Sequence, residues 1–257
     1  MNTKLKTCLL AILLFGATNA YGWGTLGHTI ICHVAEQHLT PEAKQKCRHD
    51  LQRTLAYHAS WMDHWRNIPP YSETSYWHCS NADENNKLIQ DKGYCAALQA
   101  DNCYKVLKGY RKLNDSVIEL NLKLLIHLVG DLHCPSHMGY TDMKGKAMYV
   151  GERRYGWHSL WDSSPLIVHP DMSAEDFYQK VDKATTKEIK KICKGTAQHW
   201  GVEQAHKIRK GYTLFERNAQ YNDLTADEKQ AITEFVDENL LKAAYRLAYM
   251  LNTIFAK

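Results

Sequence analysis

The segment from Val117 to His133 constrains the fold more than any other. Val117, Ile118, Leu120, Leu122, Leu124, Leu125, Ile126, Leu128, Val129 and Leu132 cover almost every face of a helix. A helix that is apolar all round is buried, so other helices must wrap this one. Yet it also carries His127 and Asp131, one turn apart on one face. An ionised carboxylate buried without a partner costs many kcal/mol, so something must compensate both groups. A metal ion does so directly, because neutral imidazole and carboxylate are its ligands. A buried His–Asp hydrogen bond is the alternative.

The surrounding sequence supplies helices and few strands. Thr40-Pro41 offers a cap and an N1 proline for a helix from Glu42 to Leu55. Ser116-x-x-Glu119, Ser173-x-x-Asp176 and Thr225-x-x-Glu228 read as capping boxes or close relatives. Asn114-Asp115-Ser116 fits a glycosylation sequon, but its position at the head of the buried helix favours a plain N-cap role for Asn114. In the last helix Ile232, Phe235, Val236, Leu240, Ala243, Leu247, Leu251 and Ile254 recur at three- and four-residue steps. Glu234, Asp237, Glu238, Lys242 and Arg246 form its outer face. Residues 138 to 157, with glycines at 139, 145, 151 and 156, read as a loop or small hairpin. No repeat or linker divides the chain, so the reading is all-α, a single helical domain over residues 23–257.

Residues 1–22 read as a signal peptide: Lys4 and Lys6, a short apolar run from Leu9 to Phe15, and small residues at Ala20 and Gly22. The run is too short for a stable membrane anchor, and no later stretch is apolar and long enough to span one. Cleavage after Gly22 makes the chain secreted or periplasmic and leaves Trp23 as its amino terminus. It also removes two lysines and no acids, taking the formal charge from +4 to +2, which does not indicate a broad electrostatic grip on duplex DNA. An oxidising compartment permits disulfides. Seven cysteines remain after Cys8 is removed; Cys95 and Cys103 are close enough in sequence to pair, but connectivity stays open.

No Cys-x-x-Cys pair exists, whereas histidine occurs 14 times against 5 phenylalanines, which directs attention to imidazole–carboxylate chemistry. The His127/Asp131 spacing recurs in His158/Asp162, and His137 follows the buried helix after Cys134-Pro135. At the new terminus, the Trp23 amine and carbonyl can close a five-membered chelate ring, since an α-amino group has a pKa of ~8, and His28 can complete that site. Asp63 and His78 are unremarkable alone. His33, His38, His49, His58, His199 and His206 read as structural or surface residues, and His64 and His133 as candidates for orienting ligands.

Taken in order, Trp23…His28, Asp63-x-x-Arg66, His78, His127-x-x-x-Asp131…His137 and His158-x-x-x-Asp162 resemble the zinc nuclease family typified by the fungal single-strand nucleases of S1 and P1 type and the plant bifunctional nucleases. Bacterial zinc phospholipase C shares that fold. The resemblance implies an all-helical domain with a cleft holding three zinc ions. One would be held by Asp63, His78, His127 and Asp131. A second would be held by the Trp23 amine and carbonyl, His28 and Asp131, making Asp131 a bridge. The third would be held by His137, His158 and Asp162. It implies hydrolysis of single-stranded DNA or RNA to 5′-phosphate products, with removal of 3′-phosphates in many members. Catalysis would fall to Asp63, Asp131 and Arg66, the last a cation near the phosphate, and the chain would act as a monomer.

Departures fall outside the ligands. The family usually reads Gly-Asp-x-His-Gln-Pro-Leu-His, and this chain has Cys134 and Ser136 in place of Gln and Leu. Where well-known fungal members place a base-stacking aromatic and a base-bonding Asp after the zinc-binding His, this chain has Cys79 and Asn81. Those two, with Tyr140, are the candidate substrate-binding residues; Trp61, Tyr76 and Trp157 are further candidates for stacking. A phospholipase C-like phosphodiesterase and a non-catalytic zinc-binding protein are the competing readings.

Overall fold

The computed structural model describes residues 23–256, so the signal-peptide reading of residues 1–22 lies outside the described residues. The helices are α1 (Thr25–Gln37), α2 (Pro41–Leu51), α3 (Leu55–His58), α4 (Trp61–Trp65), α5 (Ala96–Lys108), α6 (Asp115–Leu132), α7 (Trp157–Val168), α8 (Ala174–Val181), α9 (Thr186–Ile192), α10 (Ala197–Gly211) and α11 (Ala226–Ile254). The strands are short: β1 (Ser80–Ala82), β2 (Leu88–Ile89), β3 (Met138–Tyr140), β4 (Met148–Val150), β5 (Arg153–Tyr155) and β6 (Ala219–Gln220). The fold is all-α, as the sequence implied.

The apolar helix is α6, and it is central. Helices α5, α11, α2 and α4 pack on it, and α1, α3 and α10 also touch it. From Leu124 to Leu132 every residue is buried, His127 and Asp131 included. Each fully buried leucine or isoleucine here stabilises the fold by ~1.5–3 kcal/mol. That burial is what holds a polar pair in the interior.

Caps set the helix ends largely where the sequence placed them. Thr40 Oγ1 accepts the Ala43 N–H, and the Ser173/Asp176 and Thr225/Glu228 boxes are both closed. Helix α6 is capped by Asn114 as read, its Oδ1 accepting the Val117 N–H at 3.0 Å and the Ser116 hydroxyl at 2.8 Å. Two readings change. Ser116 does not head a capping box. The helix begun at Pro41 stops at Leu51 rather than Leu55, because Gln52 turns left-handed (φ 57°), and Thr54 caps a separate turn.

In α11 all eight predicted core residues are buried. Arg246, read as outward-facing, is buried as well, 1 % exposed. Its guanidinium donates to His133 Nε2 (2.8 Å), the Ile192 carbonyl (3.1 Å) and Glu203, and lies over the Trp200 ring. Those partners satisfy the fork, so periodicity alone misplaces it.

The 138–157 segment is half hairpin: β4 and β5 pair antiparallel across Gly151, which adopts φ 59°. Strand β3 pairs in parallel with β1, setting Asn81 opposite Gly139 and Ala82 opposite Tyr140. All seven cysteines among the described residues are free thiols, Cys95 and Cys103 included, so the expected disulfide is absent there.

Candidate metal centre

Asp131 sits at the middle of the centre, fully buried near the end of α6. Its Oδ2 lies 2.8 Å from His78 Nδ1 and 3.1 Å from His127 Nε2. Its Oδ1 lies 3.0 Å from His137 Nδ1 and 3.3 Å from His28 Nε2. Helix α1 brings His28, α6 brings His127, and the segments entering β1 and β3 bring His78 and His137. Asp63, from α4, places Oδ1 3.7 Å from both His78 and His127. Arg66, one turn further along, has its Nη1 3.8 Å from that same oxygen.

A second constellation adjoins the first through His137. Its Nε2 lies 3.1 Å from His158 Nε2, and His158 lies 3.7 Å from Asp162 Oδ2. The i, i+4 spacing read from the sequence thus puts both groups on one face of α7. Three sets have ligand atoms close enough to share one ion: Asp63/His78/His127, His28/His127/Asp131 and His137/His158/Asp162. All eight side chains named from the sequence converge. In the set nearest the terminus His127 stands beside His28, their rings stacked at 4.2 Å. Trp23 is buried, and the next residue's N–H donates to the Asp162 carbonyl at 3.0 Å. The start of the described chain is therefore tied to α7.

The residues fit a metal cluster on a test internal to the structure. Buried polar groups are nearly always hydrogen-bonded. Here Asp63 Oδ1 and Oδ2, both ring nitrogens of His28, His78 Nε2, Asp131 Oδ1 and His137 Nδ1 are buried without a hydrogen bond. Several of these atoms are within 3.0–3.3 Å of one another and still fail hydrogen-bond geometry. They aim at shared points between them, as donor atoms around cations do. Room is also built in: a Cβ on Gly130 would lie 2.7 Å from His28 Nδ1, so only glycine lets His28 reach Asp131.

The charge state points the same way. Burial pushes the Asp131 carboxyl up, but the neighbouring His127 and His137 outweigh it and hold it well below the usual range. Burial pushes His127 down, yet Asp131 and Asp63 raise it to about 9. Burial lowers His28 and His78. It raises Asp162 to about 9, and, with His137 beside it, lowers His158 to about 4. A carboxyl this disfavoured as an anion needs a nearby cation to ionise; a bound metal inverts the local balance.

Supporting contacts divide the remaining candidates. His127 Nδ1–H donates to the Ala59 carbonyl at 2.8 Å, which fixes the tautomer that turns Nε2 inward. A backbone carbonyl brought in by chain folding leaves no sequence signal. His133 Nδ1–H donates to the Val129 carbonyl at 2.7 Å, and His64 to the Ser60 carbonyl at 2.6 Å. His133 thus braces the end of α6. His33, His38 and His49 pair with Glu175, Asp182 and Asp50, and His58 donates to the Leu51 carbonyl, as structural histidines do. His199 completes the Thr196 cap and His206 bonds Asn86.

Beyond β1 and β3 lies a cavity of about 330 Å3 lined by Asn81, Ile89, Asp91, Tyr94, Tyr140 and Thr141. Asn81 and Tyr140 therefore meet, while Cys79 does not line this space; burial raises its thiol to about 12. Tyr94 and Asp91 were not foreseen, because only the β1–β2 hairpin brings them here. Tyr94 stacks on Tyr76, with centroids 4.7 Å apart. Trp157 is packed on Tyr212 and Trp161, and Trp61 on Trp65 and Tyr71.

Residues 23–256 match the family model described as S1/P1 Nuclease. The chain belongs to the S1/P1 nuclease family. Nuclease P1 of Penicillium citrinum is 26 % identical over 269 residues, covering 90 % of this chain and 97 % of that protein. Endonuclease 2 of Arabidopsis thaliana is 26 % identical over 200 residues, 70 % of this chain and 67 % of its own length. Nuclease S1 of Aspergillus oryzae is 24 % identical over 157 residues, 56 % of this chain; the match spans 54 % of that relative's length. Membership places this S1/P1 nuclease among the hydrolases of phosphodiester bonds.

Proposed function

We propose that this chain is a secreted or periplasmic zinc-dependent endonuclease that hydrolyses single-stranded DNA or RNA to 5′-phosphate products and also removes 3′-phosphates from nucleotides. The observation that carries the reading is the convergence of eight buried or half-buried imidazoles and carboxylates on three adjoining sets, in a chain of the S1/P1 nuclease family. The imidazole and carboxylate donor set suits zinc.

Asp63, His78, His127 and Asp131 would hold one ion. The Trp23 amine and carbonyl, His28 and Asp131 would hold the second, and His137, His158 and Asp162 the third. Bound zinc supplies Lewis acidity, lowering the pKa of water to ~7 and offsetting charge on a phosphoryl group. The chain's own groups do the rest. Asp131 would be shared between the first two ions. Arg66, 18 % exposed beside Asp63, would neutralise charge on the phosphate as it develops. Asn81 and Tyr140 would receive a base in their cavity. The Tyr140 ring is held in place for this by Arg209, whose guanidinium lies 4.4 Å from the ring centroid. A base can enter only when unstacked, which disfavours duplex.

Among the described residues no helix is long and apolar enough to cross a membrane. The chain would act as a monomer freed from its leader. The test is incubation of chain starting at Trp23 with single-stranded DNA, duplex DNA and phosphatidylcholine, with and without chelator. Chelator-sensitive cleavage of the single strand is the expected result. Cleavage of the lipid instead would favour a phospholipase C-like activity, and metal binding without any hydrolysis a non-catalytic zinc protein.

A further inference from the structure

Cys134 and Ser136, on either side of Pro135, depart from the pattern of the resemblance, and the structure gives that departure a use. Pro135 heads a single 3-10 turn, Pro135–His137, with Cys134 at its N-cap. His137 belongs to the third constellation. Ser136 reaches another member of it: its Oγ–H donates to Asp162 Oδ1 at 3.0 Å. A serine hydroxyl has one proton, so its lone pairs face away from the carboxylate. Cys134 Sγ lies 3.0 Å from Ser136 Oγ. The one hydroxyl proton of Ser136 is used on Asp162, so the fully buried Cys134 thiol is the donor of this contact. The contacts form a directed chain: thiol to hydroxyl, hydroxyl to carboxylate.

We infer that Cys134 and Ser136 are positioning residues that hold Asp162 as a one-oxygen ligand of the third metal position. This rests on the metal reading above. With Oδ1 engaged by Ser136, Oδ2 is the oxygen turned toward His158, 3.7 Å from Nε2. The Asp162 backbone is fixed too, since its carbonyl accepts the Gly24 N–H at 3.0 Å. A Cβ on Gly24 would come within 2.9 Å of that oxygen, so the approach requires glycine. Engaging Oδ1 with Ser136 would leave Oδ2 as the oxygen offered to a bound ion beside His158. Leucine at position 136, the usual residue of the family, cannot donate this bond.

The test reads metal affinity rather than turnover. Zinc is titrated into protein beginning at Trp23 against a chromophoric chelator, for wild type, Ser136→Ala, Ser136→Thr and His158→Ala. His158→Ala identifies the step that belongs to the third position. Ser136→Ala is expected to weaken that step by ~10–100-fold, the usual effect of removing an orienting partner, and leave the other two within about twofold. Ser136→Thr, which keeps the hydroxyl, is expected to restore it. Unchanged affinity in Ser136→Ala, or a Ser136→Thr as weak as the alanine variant, overturns the inference. A wild-type chain that takes up fewer than three zinc ions overturns the metal reading and this inference together.

Discussion

Asp131→Asn should disable two metal positions with one change of nearly constant shape. The side chain is fully buried and four imidazole nitrogens lie within 2.8–3.3 Å of its oxygens, two on each. At an effective dielectric of ~20, a unit charge ~3 Å away is worth ~5 kcal/mol. Losing one partner of a buried charged pair typically costs ~3–5 kcal/mol. An amide also turns two donor hydrogens toward nitrogens that already crowd the carboxylate. A loss of ~3 kcal/mol is roughly a hundredfold in affinity, and here it applies to both positions that share Asp131. The assay is zinc content after dialysis, with single-strand cleavage measured on the same samples. Asp131→Asn should lose two ions and fall further in rate than His158→Ala, which touches only the third set. Retention of both ions, or a milder loss than in His158→Ala, would refute the shared carboxylate.

Other changes probe separate parts of the argument. Gly130→Ala places a methyl 2.7 Å from His28 Nδ1, so it should displace His28 and remove one zinc from a folded chain, read by metal analysis beside circular dichroism. Arg246→Met removes the donor that buried His133 Nε2 accepts from, while Glu203, 42 % exposed, keeps its ion pair with Lys242; a stability loss of ~1–3 kcal/mol is expected in urea unfolding, since a buried acceptor is left unsatisfied. Lys207 is held down to about 8 by burial. Its folded pKa lies below the unfolded value of ~10.4, so the native state binds fewer protons between the two and stability rises with pH there. Thermal melts should show wild type gaining on Lys207→Met from about pH 8 to about pH 10; a parallel trend would count against it.

Part of the site was legible because four of its residues are paired on helices, whereas His78 and His137 sit on the short segments entering β1 and β3. His127/Asp131 and His158/Asp162 are helical neighbours, and an apolar helix carrying two polar groups declares that they need a partner. What was missed depends on contacts distant in sequence. Arg246 follows the polar face of α11 by period, but its partners come from α9, α10 and the end of α6. The break at Gln52 rests on a left-handed backbone that a glutamine does not announce. Tyr94 reaches the Asn81 cavity only through strand pairing, and the Ser136–Asp162 bond joins positions separated by a hairpin. The thiol state of Cys95 and Cys103 was likewise open, since sequence proximity says nothing of geometry.

The central claim is that converging carboxylates and imidazoles, together with the freed amine of Trp23, hold three zinc ions. Metal counting by plasma mass spectrometry on two chains tests it: one verified to begin at Trp23, the other carrying one extra residue in front. Three zinc ions per chain in the first and two in the second is the result expected. Equal counts in both would contradict the role of the terminus, and a folded chain that binds one ion or none would contradict the whole account.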